Sequence, residues 1–363
     1  MPSGSRHRGR SRALAAALGL LASLLLLEAV VRVLDLGPTF HVVHRETVRA
    51  SDDPALVYEL RPGAPDGASH ISRTGLRDGE HPLEKPEGVF RIAAIGDSVT
   101  YGLGVTRDAS WPARLESLLN GAAGDEERFE VLNLGVPGYH AGQVVARLRD
   151  LGLDHDPDLV VYGYVLNDPQ ASSLQAEAVE RLRDEASEHF HRPGALRVLA
   201  GSRLFLWLRH LAETPPALRD PEPGLDPALA AKQDDTLAAY LRDLHTSPGT
   251  EPRWRGALDQ LGRVGRKRNV PVVLAIFPVL GEGRGRDYPL ADLHALVAEA
   301  ARRSGLEALD LRRPLERVAA QRGRLHLDFL HPNAAGHQVA AAALHLALCA
   351  RELVPSEGCA PSR

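Results

Sequence analysis

Four short clusters in this chain hold the residue types of a nucleophilic site. Gly96-Asp97-Ser98 supplies a hydroxyl, and Asn133-Leu134-Gly135-Val136-Pro137-Gly138 supplies backbone amides among small turn residues. Asn167-Asp168 adds a side-chain amide, and "DFLHPNAAGH" places Asp328 three residues before His331. A serine hydroxyl is a poor nucleophile until a base accepts its proton. His331 is the candidate base, and Asp328 can hold its tautomer and stabilise the imidazolium. An oxyanion formed on serine attack needs donors, for which the Ser98 N–H, the Gly135 N–H and the Asn167 amide are the candidates. Glycine at 135 suits a place where bulk would obstruct a substrate. Asp97 and Asp168 are expected to brace their loops rather than react.

Each residue also has an ordinary reading. Ser98 could cap a helix, Gly135 and Gly138 could serve turns, and Asn167 could form an Asx turn. Asp328 could be a turn acid, and His331 is one of 16 histidines. A metal reading exists for His326, Asp328, His331 and His337. However, the order H-x-D-x-x-H matches no defensible ligand spacing and no second cluster completes it. No metal and no cofactor is therefore expected.

The clusters gain meaning from what precedes them. "VFRIAAIG", "RFEVLNLG", "PDLVVYGYV", "NVPVVLAIFP" and "LEALDL" read as five short strands. Helical patterns lie between and after them: "WPARLESLLNG" with Gly121 as a stop, "HAGQVVARLRDLG", "ADLHALVAEAARRSG" and the terminal "NAAGHQVAAAALHLALCAREL". The basic run Arg263–Arg268 ends a further helix, where cations suit the dipole. Alternating strands and helices predict βαβ units and a parallel sheet covered on both faces. The first three clusters follow the first three strands, and the fourth precedes the last helix, where Asn333 is a candidate N-cap. All four are thus expected on one carboxyl edge of one sheet, where such folds gather reactive groups.

In this order the four blocks resemble the GDSL or SGNH hydrolase family, named for Ser, Gly, Asn and His, matched here by Ser98, Gly135, Asn167 and His331, with Asp328 completing the triad. The resemblance covers about residues 90–350. It implies a flavodoxin-like three-layer α/β/α sandwich with a five-stranded parallel sheet, and hydrolysis or transfer of esters without metal. One block departs from the family's G-x-N-D. Here it reads "GYVLND", with Gly163 four residues before Asn167, which affects the local backbone and the acyl-side pocket.

The rest of the chain frames this domain. Its 363 residues are 44% hydrophobic and 25% charged, with a net charge of −4. The first twelve residues carry four arginines and no acid, so the remainder is acidic, which argues against a nucleic-acid partner. Residues 13–34 are apolar apart from Glu28 and Arg32. At 1.5 Å per residue they can span a bilayer of about 30 Å, and no A-x-A cleavage site follows the apolar core. The expectation is a basic cytoplasmic tail (1–12), a signal-anchor helix (13–34) and an extracytoplasmic catalytic domain, with signal cleavage and secretion as the alternative. Residues 36–88, rich in Pro, Gly, Asp and His, read as a stem. Residues 89–350 form the hydrolase domain with an insertion at about 170–250, read as extra helices packed on the sheet or as a cap over the site, and 351–363 form a tail. Cys349 and Cys359 are either one disulfide or two thiols. The function expected is a serine esterase on a small-molecule, lipid or glycan ester. An O-acyltransferase of envelope glycans with the same triad, and a non-catalytic binding protein, are the alternatives.

Overall fold

The computed structural model describes residues 19, 22–31, 47–66, 69–124, 129–170, 227–279 and 288–359. The chain divides into two units, residues 1–40 with 185–233, and residues 41–184 with 234–363. In the first, residues 22–31 are helical. Among the described residues no helix is long and apolar enough to cross a membrane. The expected span 13–34 lies partly outside them, as does Arg32.

The second unit opens with two small antiparallel ladders. β1 (Val48–Ala50) pairs with β2 (Tyr58–Leu60), and β3 (Pro65–Asp66) pairs with β4 (Ser69–His70). This region was expected to be a stem. Over residues 47–88 it is instead part of the core, because Leu56, Leu60, Ile71 and Leu76 are fully buried in the main apolar cluster. Its short apolar pieces are too sparse to register as periodic, yet each inserts a side chain.

The five expected strands form one parallel sheet: β5 (Phe90–Gly96), β6 (Phe129–Asn133), β7 (Leu159–Tyr164), β8 (Val272–Ile276) and β9 (Glu307–Asp310), in the order β6-β5-β7-β8-β9. This is the flavodoxin-like order, whose topological switch point lies beside β5. The strands β7 and β8 are buried throughout, as expected for parallel strands covered on both faces. Alternation divides the core into two layers. Ala93 and Ile95 join Leu148, Leu258 and Val297 on one face. Ile92 and Ala94 join Trp111, Leu115, Leu315 and Leu344 on the other.

The covering helices are α1 (Ser98–Tyr101), α2 (Trp111–Ala123), α3 (Ala141–Asp150), α4 (Pro227–Thr246), α5 (Glu251–Arg268), α6 (Ala291–Arg303), α7 (Arg312–Arg322) and α8 (Ala334–Ala350). The helix α2 runs through the expected stop at Gly121, which meets nothing within 4 Å, and ends at Gly124 with φ 92°. The basic last turn of α5 is followed by Asn269 in the left-handed conformation. The helix α7 was not anticipated, since Leu315 is its single buried residue and it shows almost no apolar stripe. Of the expected insertion, residues 171–226 lie outside the described residues. The end of α4 is held through His245. Its Nδ1 donates to the Leu241 carbonyl at 2.7 Å, so its Nε2 accepts from the Tyr164 hydroxyl at 3.0 Å. Burial pushes the His245 pKa down to about 4, which keeps this joint neutral.

The expected C-terminal tail is also packed over residues 351–359. Cys349 and Cys359 form a disulfide with Cα atoms 5.5 Å apart, settling the open choice in favour of the bond. Gly358 sits against the Phe129 ring, where an added Cβ would come within 2.6 Å. Closing so short a loop restricts the unfolded chain and is expected to stabilise by about 2–3 kcal/mol. Urea unfolding of the protein with and without reductant should show a loss of that size, reproduced by Cys359→Ser.

Candidate active site

Ser98 sits at the end of β5 because the chain makes an abrupt turn there. Gly96 adopts φ 155°, and a Cβ on it would meet Thr100 Oγ1 at 2.1 Å and the Gly163 carbonyl oxygen at 2.8 Å. Gly163 is the register partner of Gly96 on β7, and its own Cβ would meet Thr100 Oγ1 at 2.5 Å. The two glycines let α1 drop onto the strand ends. This accounts for the position of glycine in "GYVLND": it serves the strand junction, while Val165, two residues before Asn167, is buried in the core.

The N-cap of α1 is Asp97, not Ser98. Asp97 Oδ1 accepts from the Val99 N–H at 2.9 Å. The Ser98 side chain is thereby free to face His331, with its Oγ 2.9 Å from His331 Nε2 and 3.3 Å from Asp97 Oδ2. His331 Nδ1 lies 2.7 Å from Asp328 Oδ2, while Asp328 Oδ1 accepts from the Leu330 and His331 backbone N–H groups at 2.8 Å each. With Nδ1–H donated to the carboxylate, Nε2 is the acceptor for the serine hydroxyl. The loop carrying this pair is a tight antiparallel return. Leu327 N–H donates to the His331 carbonyl at 2.8 Å and Asn333 N–H to the Leu325 carbonyl at 3.0 Å. Asn333 then caps α8 through the Gly336 N–H at 3.0 Å.

Electrostatics follow from this packing. Burial opposes ionisation of Asp328, but the hydrogen bond and charge of His331 and two backbone donors outweigh it and hold the carboxyl below its usual range. Burial likewise pulls the His331 pKa down, yet Asp328, with help from Asp97, lifts it above the ordinary imidazole value. Burial raises the pKa of Asp97 against the donors of Val99 and Ser98. Asp168 is pushed well up, by burial and then by the charge of Asp97. Its Oδ2 accepts from the Tyr162 hydroxyl at 2.6 Å and the Val165 N–H at 3.3 Å, and its backbone carbonyl accepts from the Ala141 N–H at 2.9 Å. Asp168 therefore ties the third block to the start of α3.

The candidate oxyanion donors are placed unequally. Asn167 is half-buried at the β7 end, and its Oδ1 has no hydrogen-bond partner. The Gly135 N–H donates to Asn133 Oδ1 at 3.0 Å, so an oxyanion there would have to share or displace that acceptor. Glycine at 135 was expected to spare the substrate. Its sharper constraint is the backbone of α1, since a Cβ would come within 2.2 Å of Tyr101 N and 2.7 Å of Thr100 C. Asn133 also donates to the Tyr101 carbonyl at 3.3 Å, a bracing role that its place in a turn-like run did not signal. Of the histidines weighed for a metal, His337 is buried and accepts the Trp111 N–H at its Nδ1 (3.2 Å). Burial pushes its pKa down to about 3. Among the described residues no group of three or more His, Cys, Asp or Glu is placed to hold a metal ion.

Residues 94–339 match the family model described as GDSL-like Lipase/Acylhydrolase family. That is more than half of the chain, and the protein belongs to this family and is an ester-bond hydrolase. No curated protein matches the chain. In structure it is similar to TesA, at 17% identity and TM-score 0.41, covering 73% of this chain and 99% of that one. It is also similar to the acetyl xylan esterase AlAXEase, at 16% identity and TM-score 0.40, covering 71% and 100%. A third similarity is to a catalytic mutant of Axe2, an acetylxylan esterase from Geobacillus stearothermophilus, at 17% identity and TM-score 0.43, covering 76% and 97%.

The contact at Gly135 gives a direct test. Gly135→Ala forces two backbone segments apart and is expected to cost about 1–3 kcal/mol. Urea midpoints measure the loss. Esterase activity should fall further than the folded fraction, because the displaced segment is the helix that begins with Ser98.

Proposed function

We propose that the chain is a serine esterase that cleaves a carboxylic ester through an acyl-enzyme on Ser98. The observation that supports this most is the unbroken relay of 2.9 Å and 2.7 Å from Ser98 Oγ through His331 to Asp328. As Oγ bonds to the ester carbonyl carbon, its proton passes to His331 Nε2, and Asp328 steadies the imidazolium. The negative charge on the carbonyl oxygen is met by the Ser98 N–H and the Asn167 amide, and by the Gly135 N–H as it shares or leaves Asn133 Oδ1. Collapse breaks the bond to the alcohol oxygen, which leaves with the proton from His331. Water then gives a proton to His331 while its oxygen attacks the acyl carbon, and as the acyl–Oγ bond breaks His331 returns that proton to Ser98 Oγ and the carboxylic acid departs.

The same reading assigns the catalytic unit to the extracytoplasmic side, anchored through residues 13–34. Three features support it: four arginines precede the apolar segment, Leu24, Leu25 and Leu26 are 48–68% exposed, and a Cys349–Cys359 disulfide suits an oxidising compartment.

Hydrolysis of a short-chain aryl acetate by the full chain tests the mechanism. Ser98→Ala and His331→Ala are expected to lose at least about 10³-fold in kcat, and Asn167→Ala about 10²-fold. Wild-type activity in Ser98→Ala overturns the reading. Movement of the acetyl group to an added glycan in preference to water would make the enzyme a transferase.

The pH profile is a second test. Attack needs neutral His331, so kcat/KM should climb with pH along an acid limb set by its pKa, above the usual value of about 6.5. Asp328→Asn removes the partner that raises that pKa. The limb should therefore move to lower pH while the plateau falls.

A further inference from the structure

The helix that presents Ser98 is a single turn, Ser98–Tyr101. A turn of that length has no stability of its own, so its direction is set by what holds its two ends. Asp97 holds the first. The second is held by Asn133, whose Nδ2 donates to the Tyr101 carbonyl at 3.3 Å, and from outside the α/β sandwich by Arg77 of the segment that precedes the sheet.

Arg77 is 4% exposed. Its Nη1 donates to the Tyr101 carbonyl at 2.5 Å and the Gly102 carbonyl at 3.1 Å, and its Nη2 donates to the Val105 carbonyl at 2.8 Å. Its Nε donates to Asp66 Oδ2 at 2.7 Å, while the Tyr101 hydroxyl donates to Asp66 Oδ1 at 2.9 Å. The guanidinium carbon also lies 4.2 Å from the centre of the Tyr101 ring. The Arg77 backbone is tied to the second block, since its N–H donates to the Asn133 carbonyl at 3.1 Å and Asp78 Oδ2 accepts from the Asn133 N–H at the same distance. One planar fork thus gathers the carbonyls at the negative end of α1, where a cation is favoured. A lysine there has no second arm for Val105 and no Nε for Asp66.

We propose that Arg77, oriented by Asp66, is a positioning residue for Ser98. It fixes the C-terminal turn of α1, and so fixes both the Oγ–His331 contact and the aim of the Ser98 N–H. The proposal rests on Ser98 being the nucleophile.

The experiment compares Arg77→Lys, Arg77→Ala and Asp66→Asn in the full chain. It reads thermal stability, kcat and KM on the aryl acetate, and the rate at which a fluorophosphonate labels Ser98. For Arg77→Lys, kcat and the labelling rate should fall together by about 10- to 100-fold, as small misplacements of a reacting group do. KM should stay within about twofold. Asp66→Asn should show the same pattern more mildly. Arg77→Ala is expected to lose the most and is scored on its folded fraction, with the other two deciding if it does not fold. A folded Arg77→Lys with wild-type kcat and labelling rate, and only a lowered melting temperature, makes Arg77 a strut and overturns the proposal. If wild-type protein is not labelled and Ser98→Ala retains activity, the nucleophile assignment itself fails and this proposal falls with it.

Discussion

The site depends on how closely α1 can approach the ends of the central strands. Three glycines permit the approach: Gly96 and Gly163 beneath Thr100, and Gly135 against the Thr100–Tyr101 backbone. A side chain at any of them would put an atom within 2.1–2.5 Å of α1. Because Gly96 and Gly163 face each other in register, the pocket for Thr100 belongs to the sheet. Ser98 then emerges beside the switch point, at the carboxyl end of β5 between its neighbours β6 and β7. Distance in sequence imposes no penalty on the relay, since a rigid sheet edge brings Ser98 to a residue 233 positions later.

Burial sets the charge pattern around that point. Burial opposes ionisation of both Asp97 and Asp168, and the charge of Asp97 adds to the cost at Asp168, whereas Asp328 is compensated by His331 and two backbone donors. Three carboxyl groups in one neighbourhood thereby acquire different protonation preferences. The one whose ionised form is favoured is the one bonded to the imidazole, which is the division a base–orienter pair needs. Both Asp97 oxygens accept from Val99 and Ser98, and Asp168 Oδ2 accepts from Tyr162 and Val165 while its Oδ1 has no hydrogen-bond partner.

Much of this was legible in the sequence for identifiable reasons. The strands β5, β7 and β8 are dense in buried apolar residues, and parallel burial leaves that signature. The Asp-x-x-His spacing, followed by Asn333, fits a loop entering a helix. Other features left no local trace. The helix α7 buries only Leu315. The end of α2 was misjudged by three residues because a surface glycine such as Gly121 is tolerated where nothing presses on it. The glycine of the third block looked displaced when judged against Asn167. It is explained by β-register with Gly96, a relation between strands that a linear reading does not contain.

The segment before the sheet shows the same limit most clearly. Residues 47–88 looked like a stem because Pro and Gly interrupt every apolar piece. Tertiary structure uses those pieces singly. Leu56, Leu60, Ile71 and Leu76 bury themselves in the core, the Tyr58 hydroxyl donates to the Pro137 carbonyl at 2.7 Å, Gln143 Nε2 donates to the Leu56 carbonyl at 2.7 Å, and Arg77 gathers the end of α1. These contacts reach Pro137 of the second block, Gln143 of α3 and the turn that follows Ser98, and they come from residues before 94–339, the part that matches the family. The family-matched region therefore contains Ser98, Asp328 and His331, but in this chain part of their support comes from residues before it. Support for the site thus begins at least as far upstream as β1 and β2, about forty residues ahead of the first strand of the central sheet.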